Sequence, residues 1–493
     1  MNDAPSIRDR QALFALATLT FLLLTVRAFA ARTIGFGDSE ALYISYALHP
    51  QAAYLDHPGL IGLFAQAIGA TEGPKAAHSV SSVLCSAVPW FLFLALRATG
   101  VGTRRAVVAA ALFALVPEIC VGLFAVTPDL LLAPTWILAL AAAAIALSSE
   151  PGSTKGFVSF VAAGFLAGLG CAAKVSGLLL VLALAVTYAR SKEHRASPAP
   201  WVGLFLGALM FMPVIEFERR WGFPMLTHRF VSTQAGSGLS LRNLGAVFGG
   251  QFAYLSPIVA LLVAIIARDL VRHRNESPVH QLLFASFAIP LIPLLAFCLW
   301  SRVAEPHWLA PPFLAIAIYG ARMDLSPRWI RWSFVSAGAS SLVAHAWILL
   351  PSLLRFAPAS YDATLDISNE LYGWPQAIEA VKEAIAPEQN PHDPVTVVGP
   401  HWVVCAQLQA ALGRDTPVGC AGDARSDFDD WLPRATWQRA DRILFVTDKR
   451  FPTDVEKLFP QHARTSQSHV SILRAGRIVR VFTLTLIERR GAG

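Results

Sequence analysis

From about residue 11 to residue 350 the chain alternates long apolar runs with short charged punctuation. A helix needs about 20 apolar residues to cross a bilayer. Runs of that order occupy roughly 11–31, 76–96, 105–126, 129–147, 157–173, 175–189, 201–217, 246–267, 281–300, 306–321 and 329–350. The runs at 157–173 and 175–189 are short and read as tilted partners. About eleven transmembrane helices are therefore predicted. Beyond Pro351 the alternation stops, and Asp, Glu, Lys and Arg return at ordinary density. There PVTVVGP, DRILFVTD, HVSILRAG and RIVRVFTLTLI read as strands, while VVCAQLQAALG and TDVEKLFPQ read as helices, the mixture of a small α/β domain. The expected fold is a polytopic α-helical membrane domain over residues 1–350, with a long first outer loop at 32–75, and a soluble α/β domain over 351–493.

Composition agrees. Of 493 residues 55% are hydrophobic and 15% charged, against about 25% charged in soluble proteins. The net charge of +7 does not point to nucleic acid, because no basic stripe with interleaved aromatics is present. It follows topology instead. Lys and Arg are retained on the cytoplasmic side of a membrane, and every second loop is basic. These loops carry Arg8 and Arg10; Arg97, Arg104 and Arg105; Lys155; Arg190, Lys192 and Arg195; Arg268, Arg272 and Arg274; and Arg322, Arg328 and Arg331. The loop at 118–128 has neither residue. The C-terminal domain is thus expected on the outer face of the cytoplasmic (inner) membrane. No clear small-residue cleavage site follows the first apolar run, so it reads as a retained helix. Cys85, Cys120, Cys171 and Cys298 lie in apolar runs, whereas Cys405 and Cys420 lie in the soluble domain, where an extracytoplasmic location would permit pairing. There is no GxGxxG, P-loop, GxSxG or zinc-spaced Cys/His set.

Ionisable groups gather on the predicted outer face. The acids are Asp38, Glu40, Asp56, Glu118, Asp129, Glu216, Glu218 and Glu305; the bases are Lys174, Arg219, Arg220, Arg302, His57, His228 and His307. Removing a sugar from a lipid phosphate needs a carboxylate to take a proton from the incoming group and cations to hold the departing phosphate. Plainer roles compete with these. Glu118 and Glu216 read first as solvated helix ends. Asp129 opens an apolar helix in TPDLLL and suits a cap. For Asp38 capping and chemistry weigh evenly. Lys174 is a snorkelling lysine or, slightly favoured, a functional one, and Arg302 with His307 is similar.

The motifs GDSEALY and YLDHPGL in the first outer loop resemble those of the bacterial relatives of protein O-mannosyltransferases and of the lipid A aminoarabinose transferase, members of the GT-C glycosyltransferases. TPDLLLAPTWILAL, GLGCAAKVSGLLL, VAEPHWLAPPF, LYGWPQAIEAV, HWVVCAQLQAAL and DRILFVTD continue the resemblance in order along nearly the whole chain. It implies a transferase using a polyprenyl-phosphate-linked sugar as donor and a lipid, glycan or protein as acceptor, with no nucleic-acid partner. It maps the catalytic base onto Asp38 or Glu40, here separated by Ser39. Donor-phosphate binding maps onto Lys174 and Arg302 or His307. Asp129, with Asp56 and His57, falls where a second acid or substrate contacts are expected; Gly59 replaces the second proline common after Asp-His. Some relatives use a divalent cation, and Asp38 and Glu40 are of ligand type, but no ligand set is complete and no other cofactor is implied. The competing class is a transporter or lipid flippase, since Pro117, Pro213, Pro257, Pro290 and Pro293 interrupt spans, although the two halves show no correspondence. A scaffold without catalysis ranks below both.

Overall fold

The computed structural model describes residues 6–234, 236–302, 305–386 and 395–490. All the apolar runs are helical. In order the helices are α1 Ile7–Thr33, α2 Asp38–Leu48, α3 Leu60–Ala67, α4 Pro74–Ala98, α5 Thr103–Leu115 and α6 Pro117–Cys120. Next come α7 Pro128–Leu147, α8 Thr154–Ala173, α9 Gly177–Arg190, α10 Pro198–Arg220, α11 Pro224–Phe230 and α12 Leu241–Tyr254. The bundle ends with α13 Pro257–His273, α14 Pro278–Trp300, α15 Ala310–Gly320 and α16 Pro327–Leu349. Among the described residues seven helices are long and apolar enough to cross a membrane, or up to nine if each of two bent pairs is one span. α9, with 14 residues, and α15, with 11, are too short to count alone.

Both bends follow from local backbone chemistry. Val116 is extended (φ −59°, ψ 129°), as a residue before proline prefers, and the chain turns by 74° into Pro117–Phe124. Ser256 adopts φ +72° immediately before Pro257, and α12 and α13 meet at 104°. Elsewhere helices close up on glycine. A Cβ on Gly164 would lie 2.0 Å from the Gly203 carbonyl oxygen, and one on Gly168 would lie 2.3 Å from that of Gly207. So α8 and α10 touch backbone to backbone, the small-residue contact by which helices associate in lipid.

The C-terminal region forms α17 Trp374–Ile385, β1 Thr396–Gly399, α18 Trp402–Leu412, β2 Val418–Cys420, β3 Arg442–Asp448, β4 His462–Arg474 and β5 Arg477–Arg489. The sheet order is β2-β1-β3-β5-β4. The first three strands are parallel, and β3, β5 and β4 are antiparallel neighbours. Cys405 on α18 is disulfide-bonded to Cys420 on β2. This region does not hang free. Ile44, Tyr46, Tyr54 and Ile61 of the first loop share one apolar cluster with Trp374, Leu408, Phe428 and Phe482. Hydrogen bonds run alongside: Ser45 Oγ donates to the Ala406 carbonyl, and Gln407 Nε2 to that of Phe36.

Candidate active site

α8 stops at Ala173 because Lys174 is extended (φ −151°, ψ 134°). Gly177, which opens α9, lies so close to the end of α8 that a Cβ there would be 2.5 Å from the Cys171 nitrogen. This tight turn presents Lys174 at the lip of the bundle. α7 begins alongside, with Asp129 in its first turn, where the helix dipole favours negative charge. Lys174 Nζ donates to both Asp129 oxygens, at 2.9 and 2.8 Å, with side chains only 11% and 26% exposed. The lysine is therefore held by a carboxylate, and Asp129 uses its oxygens on the ammonium rather than on backbone N–H groups.

Three further segments converge here. From the first loop, His57 Nε2 lies 3.1 Å from the Tyr43 hydroxyl. Burial, then Arg229, Lys174 and His307, push the His57 pKa well below its ordinary value. His307, from the turn before α15, is lowered to about 4 by burial and by Lys174. Both rings are thus neutral at pH 7, able to give hydrogen bonds without adding charge. Asp56 is held by Arg229 Nη2 at 3.1 Å, with His228 Nε2 at 3.7 Å. Arg229 also lies 5.7 Å from the centre of the Trp308 ring, within cation–π range. Burial first, and then the charges of Asp56 and Asp129, raise the Tyr43 pKa.

Below the pair an apolar groove of about 600 Å³ opens. Glu118 and Asp129 lie at one end, Arg104, Arg105 and Asp324 at the other, and Leu112, Leu132, Val259, Leu262, Ile266 and Leu314 form its walls. Glu118 was expected to be a solvated helix end, but it is half-buried and lines this groove. The bend at Val116 places it there.

The two first-loop acids face elsewhere. Asp38 Oδ2 accepts from Arg450 Nη1 at 2.8 Å, and Gln407 Nε2 lies 3.4 Å from Oδ1. Asp38 also raises the pKa of Glu370, which burial lifts to about 8. Glu40 accepts from the backbone N–H groups of Gly37 and Val126 and pairs with buried His78 at 3.0 Å. Among the described residues no ion pair joins either acid to Lys174, and no three His, Cys, Asp or Glu side chains gather as metal ligands. Arg302 is exposed, its backbone N–H donating to Gln234; Val303 and Ala304 of the same turn lie outside the described residues. Arg229 reaches Asp56 across 173 residues of chain, a partnership that no local pattern in the sequence marks.

Membrane-length helices, a structured first loop and a sheet domain closing over that loop define a class, the GT-C fold. The crystal structure of ArnT from Cupriavidus metallidurans bound to undecaprenyl phosphate is similar, with a TM-score of 0.60, 15% identity, and 96% of this chain and 97% of that chain covered. Its apo structure gives a TM-score of 0.60 at 15% identity, covering 96% of this chain and 98% of that one. Residues 56–217 match the family model described as dolichyl-phosphate-mannose-protein mannosyltransferase, a stretch that begins at Asp56 and contains Asp129 and Lys174. No curated protein matches the chain in sequence. The fold is thus of the ArnT kind, and within it residues 56–217 resemble the protein O-mannosyltransferase family.

Proposed function

We propose that this chain moves a sugar from a polyprenyl-phosphate donor to a cell-envelope acceptor on the extracytoplasmic face of the cytoplasmic membrane. The observation that carries the reading is the Lys174–Asp129 pair at the head of an apolar groove. A polyprenyl-phosphate sugar has the matching form, an apolar tail ending in an anionic head. The tail occupies the groove, and Lys174, fixed by Asp129, takes the phosphate with help from Arg229 and the neutral rings of His57 and His307. The Lys/Arg bias of the loops and the Cys405–Cys420 disulfide, a bond of oxidising compartments, support the extracytoplasmic placement.

In the proposed step the acceptor oxygen or nitrogen attacks the anomeric carbon of the sugar. The bond from that carbon to the phosphate oxygen breaks, and its electron pair leaves with the polyprenyl phosphate. Asp56 takes the acceptor's proton. We assign the base to Asp56 rather than Asp38 or Glu40 because Asp56 is 31% exposed and shares the cluster with Arg229, whereas the other two carboxylates are buried in partnerships of their own. Asp38 and Glu40 then position the first loop, and Arg302 is left at the rim.

The test is sugar transfer from a labelled polyprenyl-phosphate donor by reconstituted protein. Asp56→Asn is expected to lower kcat by about 10²- to 10⁴-fold, the usual contribution of a general base. Wild-type turnover in this variant would remove Asp56 from the chemistry, and donor movement without any transferred sugar would favour a transporter, the reading that the two bent helix pairs would otherwise suggest.

A further inference from the structure

The opposite end of the bundle holds a second cavity, of about 260 Å³, where α4, α7 and α15 end and α8 and α14 begin. α7 has 20 residues, and at 1.5 Å per residue it separates this cavity from the Lys174–Asp129 pair by about 30 Å. The polar lining includes Lys155, Arg322 and His280 with the hydroxyls of Thr99, Ser148, Ser277 and Tyr319, and among the described residues no carboxylate contributes to it. The neighbouring acids are engaged at its edge. Asp269 accepts from the Tyr319 hydroxyl at 2.7 Å and lies 3.3 Å from His273, and Glu276 lies 3.9 Å from both His273 and His280.

Two features orient this lining toward an anion. Arg322 is half-buried. Among the described residues its guanidinium gives one hydrogen bond, to the Ile318 carbonyl at 2.9 Å, out of five possible donors. Ser277 caps α14, its Oγ accepting from the His280 N–H. The positive end of that 23-residue helix therefore meets the cavity beside the two cations. The other wall is apolar, with Ile145 and Leu283. An anion with an attached hydrocarbon chain fits both walls at once.

We propose that this cavity is a phosphate-binding site, separate from the transfer reaction, which takes the head of an anionic phospholipid in the leaflet on that side or free phosphate. Arg322 and Lys155 hold the phosphate oxygens beside the N-terminus of α14, while the Thr99 and Ser277 hydroxyls remain bonded to the Ala95 carbonyl and to His280. The full-length protein tests this. Native mass spectrometry would count phosphatidylglycerol retained from mixed phosphatidylglycerol and phosphatidylcholine bilayers. Thermal unfolding in millimolar inorganic phosphate, with chloride as control, would report the free anion. Preferential retention of phosphatidylglycerol, weakened about tenfold in Arg322→Gln as one charge-assisted hydrogen bond is lost and restored in Arg322→Lys, supports the lipid as source. A phosphate-specific upward shift in Tm that Arg322→Gln abolishes, without lipid retention, supports the free anion. Lys155 is exposed, so Lys155→Gln separates loss of binding from loss of fold. The proposal is overturned if Arg322→Gln and Lys155→Gln keep wild-type binding in both assays, or if neither probe binds the wild type.

Discussion

Lys174 and Asp129 lie 45 residues apart, and each has an unremarkable explanation when taken alone. Together they make a partly buried ion pair, and removing one partner leaves the other charge uncompensated. Lys174→Ala is expected to raise the donor KM and lower kcat/KM by about 10²- to 10³-fold, as for loss of one charged stabiliser. Asp129→Asn keeps the ammonium but frees it, and should cost about tenfold; steady-state kinetics against donor concentration separates the two. His307 carries a pH signature. Its folded pKa, about 4, is below the ordinary value near 6.5, so its contribution to stability is present above about pH 6.5 and is lost as pH falls toward 4. His307→Gln should soften the fall of Tm over that range while keeping activity at pH 7 within about tenfold, because the histidine is already neutral there. The residue types of this site were legible in the sequence. Their partnerships were not, because pairing between distant helix ends leaves no periodic trace: nothing local ties Arg229 to Asp56, Asp38 to Arg450 or Glu40 to His78.

Among the elements, the helices were the most legible, since each apolar run needs its backbone satisfied internally in lipid. Their division into spans was less so. The run at 105–126 hides the turn at Val116, and 246–267 hides the one at Ser256, although Pro117 and Pro257 mark both. In the sheet, β2 is only three residues long, too short for alternation to show, and the polar first half of β4 is exposed and lacks an apolar face. The α8–α10 contact has a direct consequence. Gly164→Leu must push the helices apart, because even a Cβ would fall 2.0 Å from a backbone oxygen. This variant should lower Tm and activity together, by an amount typical of severe overpacking, about 1–3 kcal/mol or more. Gly249→Leu, on α12 where nothing among the described residues lies within 4 Å of the new Cβ, serves as the control that should leave Tm near that of wild type.

For the molecule as a whole, the contact between first loop and C-terminal region responds to pH in the opposite sense to His307. Asp427 accepts from the Tyr46 hydroxyl and the Leu55 N–H, and burial raises its pKa to about 7. A raised folded pKa means stability fully present below the unfolded value, near 4, and lost as pH rises through 7. Asp427→Asn should therefore flatten the decline of Tm between about pH 4 and 7, measured in detergent; an unchanged slope would place the titration elsewhere. Glu370, raised to about 8 beside Asp38, extends the trend. The same seam also sets an order of events during synthesis. Ser45 meets Ala406 across 361 residues, so the loop that carries Tyr43, Asp56 and His57 is translated long before the segment that completes its packing. Every helix of the bundle therefore precedes in sequence the segment against which this loop packs.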